Sequence, residues 1–277
     1  MKRLKLLNDF VFKKTFGEED SKESLISLLN AILDRKDRDQ LVTLEIVNNK
    51  ELTAELINDK AGRIDVRAKT GDGTQIDIEV QLANQYNMEK RTLWYWGRLF
   101  NEGIKKGQDY SNLSKVITIN ILDFDYINIE DKYHTTFHLR EDEIKDYMLT
   151  DLIEIHFIEM KKFKNVANKN LQEDKLQRWL TFLREDISEE ELKELMAMDV
   201  EIRKAEERVE YLSSDPDTIE LYRAREEALH ERANMINGAR EEGIKEVAKN
   251  MLRENIPVDV ITKMTGLTAE VVNKLMC

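Results

Sequence analysis

Arg63-Ile64-Asp65-Val66-Arg67-Ala68-Lys69, then Gln75-Ile76-Asp77-Ile78-Glu79-Val80-Gln81, is the stretch whose reading decides the fold. Each run alternates polar and apolar residues, the period of a strand with one face in a core. Gly71-Asp72-Gly73 lies between them and supplies turn residues. A three-residue loop pairs Thr70 with Thr74 and sets Arg67 across from Asp77 and Asp65 across from Glu79. It needs Gly73 in the left-handed region. A two-residue Asp72-Gly73 loop throws Asp65 and Glu79 onto opposite faces instead. The first register keeps the apolar side chains together and pairs Arg67 with Asp77, so it is preferred.

Working outward, residues 9–33 carry Phe10, Phe12, Phe16, Leu25, Leu28, Leu29 and Ile32 at helical spacing, broken near Gly17. A short strand is expected over Thr43–Val47. A helix is expected from about Asn84 to Lys106, with Leu93, Gly97, Phe100 and Ile104 as its apolar stripe. Val116–Leu122 reads as a buried strand, and another strand is expected near Leu152–Ile158. From Leu171 onward the pattern is helical. Ser188 with Glu191 forms a capping box, Asp215-Pro216 opens a further helix, and Thr265-Gly266-Leu267 is a turn before Thr268 as N-cap. This order predicts an α/β fold, a mixed sheet flanked by helices, followed by an α-helical C-terminal region. The division is expected as 1–187 and 188–277, with a soft boundary near 165–188.

Composition bounds the functions. The chain has 277 residues, 35% of them charged, and a net charge of −12, which opposes indiscriminate nucleic-acid binding. The acidity is uneven: residues 1–130 carry a net −2 and residues 131–277 a net −10. A local basic surface is therefore compatible with the N-terminal half. No run of about 18 apolar residues is present, so no membrane partner is expected. The basic N-terminus is followed by no apolar secretory segment. Cys277 is the single cysteine, which rules out an internal disulfide framework and makes the cytoplasm the expected compartment.

On the preferred register Asp65 and Glu79 are neighbouring carboxylates on one strand face. Their repulsion is relieved by a divalent cation, and hard oxygen ligands suit Mg²⁺. Taken alone, a charged strand face most often meets solvent. Arg91, Tyr95 and Arg98 share a helix face that is either solvated or able to touch phosphates. Trp94 and Trp96 are read as core or interface. Asp9 is read as an N-cap or an accessory acid, the cap being favoured. His134 and His138 lack the glutamate and cysteine partners that a zinc site needs.

Asp65, thirteen intervening residues and then Glu79-Val80-Gln81 resembles the D…(D/E)-x-K signature of the PD-(D/E)XK nucleases. The blocks around it are similar to the Rpn (recombination-promoting nuclease)/transposase branch. They are Asn8–Gly17, Leu25–Leu33, Arg63–Val66, Ile76–Gln81, Arg91 with Tyr95, and Gly107-Gln108-Asp109-Tyr110 ahead of Val116–Leu122. The resemblance covers about residues 1–125. It implies a restriction-endonuclease-like mixed sheet and a metal-dependent DNA endonuclease linked to recombination or mobile elements. Asp65, Glu79 and Gln81 would be catalytic, and Asp65 and Glu79 would hold Mg²⁺, Ca²⁺ or Mn²⁺. Asp9, Arg91 and Tyr95 would be accessory. Gln81 stands where the superfamily has lysine, and this branch commonly has glutamine. A neutral amide there also admits the alternative of a catalytically silent nucleic-acid-binding or assembly protein. DNA is the expected partner, and the helical C-terminal region is expected to support a homodimer.

Overall fold

The computed structural model describes residues 3–47, 66–84, 87–105 and 107–275. Asp65, Arg63 and Ile64 lie outside the described residues. The chain separates into two compact units, Met1–Glu226 and Glu227–Cys277.

In the first unit the described residues form one six-stranded sheet. Its strands are β1 (Leu44–Ile46), β2 (Val66–Thr70), β3 (Gln75–Gln81), β4 (Val116–Leu122), β5 (His134–Arg140) and β6 (Met148–Glu159), in the spatial order β1-β2-β3-β4-β6-β5. The pairs β1/β2, β2/β3 and β5/β6 are antiparallel, whereas β3/β4 and β4/β6 are parallel. The parallel β3/β4 pair needs a crossover, and α3 (Met88–Glu102) provides it. β5, a strand that alternation did not reveal, is an edge strand with a broken register.

The hairpin adopts the three-residue register: Arg67 faces Asp77 and Val66 faces Ile78. Gly73 has φ +88°, a left-handed conformation that favours glycine, and a Cβ there would stand 2.8 Å from Ser114 Oγ. Thr70 N donates to Thr74 O at 3.0 Å, and Asp72 accepts from the Thr70 hydroxyl and from Thr74 N.

The apolar sheet face carries Val66, Ala68, Ile76, Ile78, Val80, Ile117, Ile119 and Ile121. It is covered by α1 (Asp9–Phe16), α2 (Lys22–Ile32) and, after the short α4 (Met160–Lys164), α5 (Lys175–Leu183). Trp179 sits at the centre, edge-on to Phe16 and Phe182, with Nε1 donating to Ser27 Oγ at 3.2 Å. α6 (Glu189–Met198) and α7 (Val200–Ser214) add Leu195, Ile202, Ala205, Val209 and Leu212 to the same core. The Ser188–Glu191 capping box is present, and Asp215 caps the start of α8 (Pro216–Arg253) by accepting from Thr218 N at 2.9 Å.

In the second unit Ala248, Ile261 and Val272 form a small core of their own, with Met251, Leu252 and Leu267 around it. α9 (Val258–Thr265) ends at Gly266, and α10 (Ala269–Lys274) is capped by Thr268. No helix among the described residues is long and apolar enough to cross a membrane.

Candidate active site

The second sheet face is polar where β3 and β4 lie beneath α3. Asp77 and Glu79 on β3 are each 2% exposed, so their face is covered rather than solvated. Two ionised groups out of water require charge partners and hydrogen bonds. Arg67 Nε lies 3.5 Å from Asp77 Oδ1. Glu79 Oε1 accepts from Gln81 Nε2 at 2.6 Å and from Arg91 Nη2 at 2.7 Å. The guanidinium that meets Glu79 comes from the first turn of α3, which brings Arg91 over the strand end.

A hydrogen-bonded chain holds α3 in that place. Asn120, opposite Glu79 on β4, accepts from Thr92 Oγ1 at 2.9 Å and donates to His156 O at 3.0 Å. Gln75 Nε2 donates to Leu99 O at 3.0 Å near the other end of the helix. Thr92 and Asn120 were not singled out from sequence, whereas the facing of Arg67 and Asp77 was expected and is observed. Asn120 did carry a signal, because it interrupts an otherwise apolar strand run, Val116-Ile117-Thr118-Ile119-Asn120-Ile121-Leu122.

The buried face of α3 differs from the stripe expected. Met88, Thr92 and Leu99 point inward, while Leu93 is half exposed. Apolar periodicity misleads here because the surface beneath the helix is itself polar and selects Thr92 and Arg91. Trp94, read as core or interface, is 61% exposed. Trp96 stacks on Phe100 with centroids 4.8 Å apart. Tyr95 takes the Arg91 guanidinium over its ring at 5.8 Å and that of Arg98 at 5.5 Å.

Asp9 is not the cap of α1. Asn8 is, accepting from Phe10 N at 3.1 Å and Val11 N at 3.4 Å. Asp9, at the first helical position, pairs with Arg225 of α8, Oδ2 to Nη2 at 2.6 Å and Oδ1 to Nε at 3.0 Å. Arg225 is 1% exposed, so this ion pair ties the first helix to the eighth inside the unit.

His134 meets His156 rather than acting with His138 alone. His134 Nε2 and His156 Nδ1 are 2.9 Å apart, and His156 Nε2 lies 2.7 Å from Glu154 Oε1. Burial, followed by the neighbouring His156 and Lys132, lowers the His134 pKa to about 4. Burial opposes the Glu154 charge, yet hydrogen bonds from His156 and Lys115 hold its pKa down at about 2. This cluster shares the sheet face of Ile117 and Ile119, opposite the face of Glu79.

Among the described residues no group of three His, Cys, Asp or Glu side chains gathers as a metal site. Asp65 is outside those residues, so Glu79 is the one of the two expected metal carboxylates whose surroundings are described.

Comparison with protein families matches residues 6–239 to PD-(D/E)XK nuclease family transposase. Neither curated proteins nor solved structures gave a match. The match spans the hairpin, the α3 crossover and the core helices described above. The chain therefore belongs to the PD-(D/E)XK nuclease family of transposases.

Proposed function

We propose that this chain is a divalent-metal-dependent DNA endonuclease, linked to recombination or mobile elements as its family description implies. The observation that carries the reading is the carboxylate of Glu79, withdrawn from water at a strand end and held by Arg91 and Gln81. The register supports Asp65 as the second carboxylate, because Val66 faces Ile78 and Arg67 faces Asp77.

Glu79 offers the carboxylate oxygen that a hard cation takes, and Arg91, whose Nη2 donates to its Oε1, is the positive group such an ion would have to share the carboxylate with. Asp65 and Glu79 would hold Mg²⁺, Mn²⁺ or Ca²⁺. Such an ion supplies a nucleophilic water and offsets charge on a phosphodiester. Gln81 orients water or phosphate through its amide, and Arg91 brings to the centre the positive charge that lysine gives elsewhere in the superfamily. Asn120 and Thr92 keep α3 at the distance this needs.

The test is cleavage of plasmid DNA with Mg²⁺ or Mn²⁺. Wild type should cut, and Asp65→Ala and Glu79→Ala should each lose activity by at least about a hundredfold. Equal cutting by all three proteins defeats the assignment. The neutral Gln81 favours a second reading, a DNA-binding protein without catalysis. Salt-dependent DNA binding with no cutting in any divalent metal supports that reading, and gain of cutting in Gln81→Lys weakens it.

A further inference from the structure

The strip that begins at Glu79 does not stop at Arg91. The Arg91 guanidinium lies over Tyr95, the Arg98 guanidinium lies 5.5 Å from both the Tyr95 and Trp94 rings, and Trp94 stands edge-on to Tyr95 with centroids 4.9 Å apart. Cation and aromatic thus alternate along one side of α3, from a buried carboxylate to an indole that is 61% exposed. An indole held in place and facing water offers a flat π surface with a cation beside it.

We infer that this side of α3 is a platform for an unpaired DNA strand, with Trp94 stacking on a base and Arg98 beside its phosphate. The inference rests on the reading of the Glu79 centre as one that acts on DNA. Stacking requires a base face, and in a duplex those faces are hidden by neighbouring bases, so the platform selects unpaired nucleotides. Arg98, which also pairs with Glu102 at 3.4 Å along the helix, answers the phosphate of the same strand. The strip lies within the first 130 residues, whose net charge is −2, away from the strongly acidic part of the sequence.

Gly97 is a second, independent observation. It lies in the middle of α3, where glycine weakens a helix, and a Cβ there would meet no described atom within 4 Å. Packing among the described residues therefore does not call for it. Three residues beyond Trp94, it places no side chain beside the indole, so the approach of a planar base is not crowded there.

The experiment measures binding without cleavage, in EDTA, by anisotropy of labelled DNA. The probes are a single strand of about 20 nucleotides, long enough for one such site, and the same sequence as a blunt duplex. Trp94→Ala should weaken single-strand binding about tenfold, the effect of losing one stacked base, and change duplex binding less than about twofold. Trp94→Phe should keep most of the single-strand affinity because a ring remains. Gly97→Leu should weaken it by crowding the space beside the indole, although leucine favours the helix. Unchanged single-strand binding in Trp94→Ala, or equal loss on both probes, overturns the proposal. So does a change of oligomeric state by light scattering in Trp94→Ala with DNA binding intact, which would make the indole a contact between copies of the chain. Cleavage by wild type is scored separately. Cutting that needs Glu79, together with single-strand binding that ignores Trp94, removes the platform and keeps the endonuclease. Trp94-dependent single-strand binding in a protein that cuts nothing does the reverse.

Discussion

At the scale of single residues, charge partners decide the behaviour of the candidate site. Glu79 is buried and takes a 2.7 Å hydrogen bond from Arg91. Removing the guanidinium leaves a buried carboxylate with less positive charge around it, which costs about 2 kcal/mol. Arg91→Met should therefore lower the melting temperature, and Mg²⁺ should raise it more in the variant than in wild type, because the ion can supply the missing charge. Equal metal responses in the two proteins would separate Arg91 from any cation at Glu79. Asp9 gives a parallel case with no metal expected. Its bidentate pairing with the 1%-exposed Arg225 means that Asp9→Ala strands a buried cation, a loss of about 3–5 kcal/mol in urea unfolding. Had Asp9 been the helix cap, as its position before Phe10 implied, the loss would be nearer about 1 kcal/mol.

Between elements, the sheet edge is where protonation acts. β5 joins β6 through the contact of His134 with His156, and His156 in turn meets Glu154. His134 is held near 4, below an ordinary histidine, so the unfolded chain takes up its proton first as pH falls. Its contribution is whole above about 6.5, is lost as pH falls toward about 4, and does not change further below that. Glu154, held near 2, contributes above its unfolded value of about 4.5 and loses that contribution as pH falls through about 2. Both groups therefore make acid destabilising, in successive windows. His134→Gln should flatten the upper window, removing about 2 kcal/mol of the change in stability between about pH 6.5 and 4. A wild-type stability that is level across that range would contradict the histidine pairing.

At the scale of the whole molecule, the helices after residue 187 have different roles. Leu195, Ile202, Val209 and Leu212 belong to the core that also holds Trp179 and the inner sheet face. A chain ending at Phe163 lacks these side chains and Trp179, so it should be unfolded by circular dichroism, whereas one ending at Glu226 should keep its tertiary signal. The homodimer expected of the helical C-terminal region would then draw on the exposed Met235, Val247 and Met264, all beyond Glu226. Light scattering should give a dimer for the full chain and a monomer for the chain ending at Glu226. A full-length monomer at micromolar concentration would remove self-association.

What was legible in the sequence was local and periodic. The alternation of 63–69 and 75–81 with Gly73 between them determined the hairpin and its register, because a slip of one residue would turn every apolar side chain to the wrong face. The β-rich run Val116–Leu122, apolar but for Thr118 and Asn120, determined a strand covered on both sides, and the capping residues Ser188, Asp215 and Thr268 determined where helices begin. Side chains that act through distant partners were not legible. Asp9 and Arg225 are 216 residues apart, Thr92 and Asn120 are 28 apart, and His134 and His156 are 22 apart. The inward face of α3 is the clearest case. Its apolar spacing pointed to Leu93, but the polar floor formed by Asn120 and Glu79 turns Thr92 and Arg91 inward. Sequence periodicity reports the average preference of a helix face for an apolar neighbour. Only the tertiary structure decides what that neighbour is, because a buried hydrogen bond or charge is stabilising only when its partner is present.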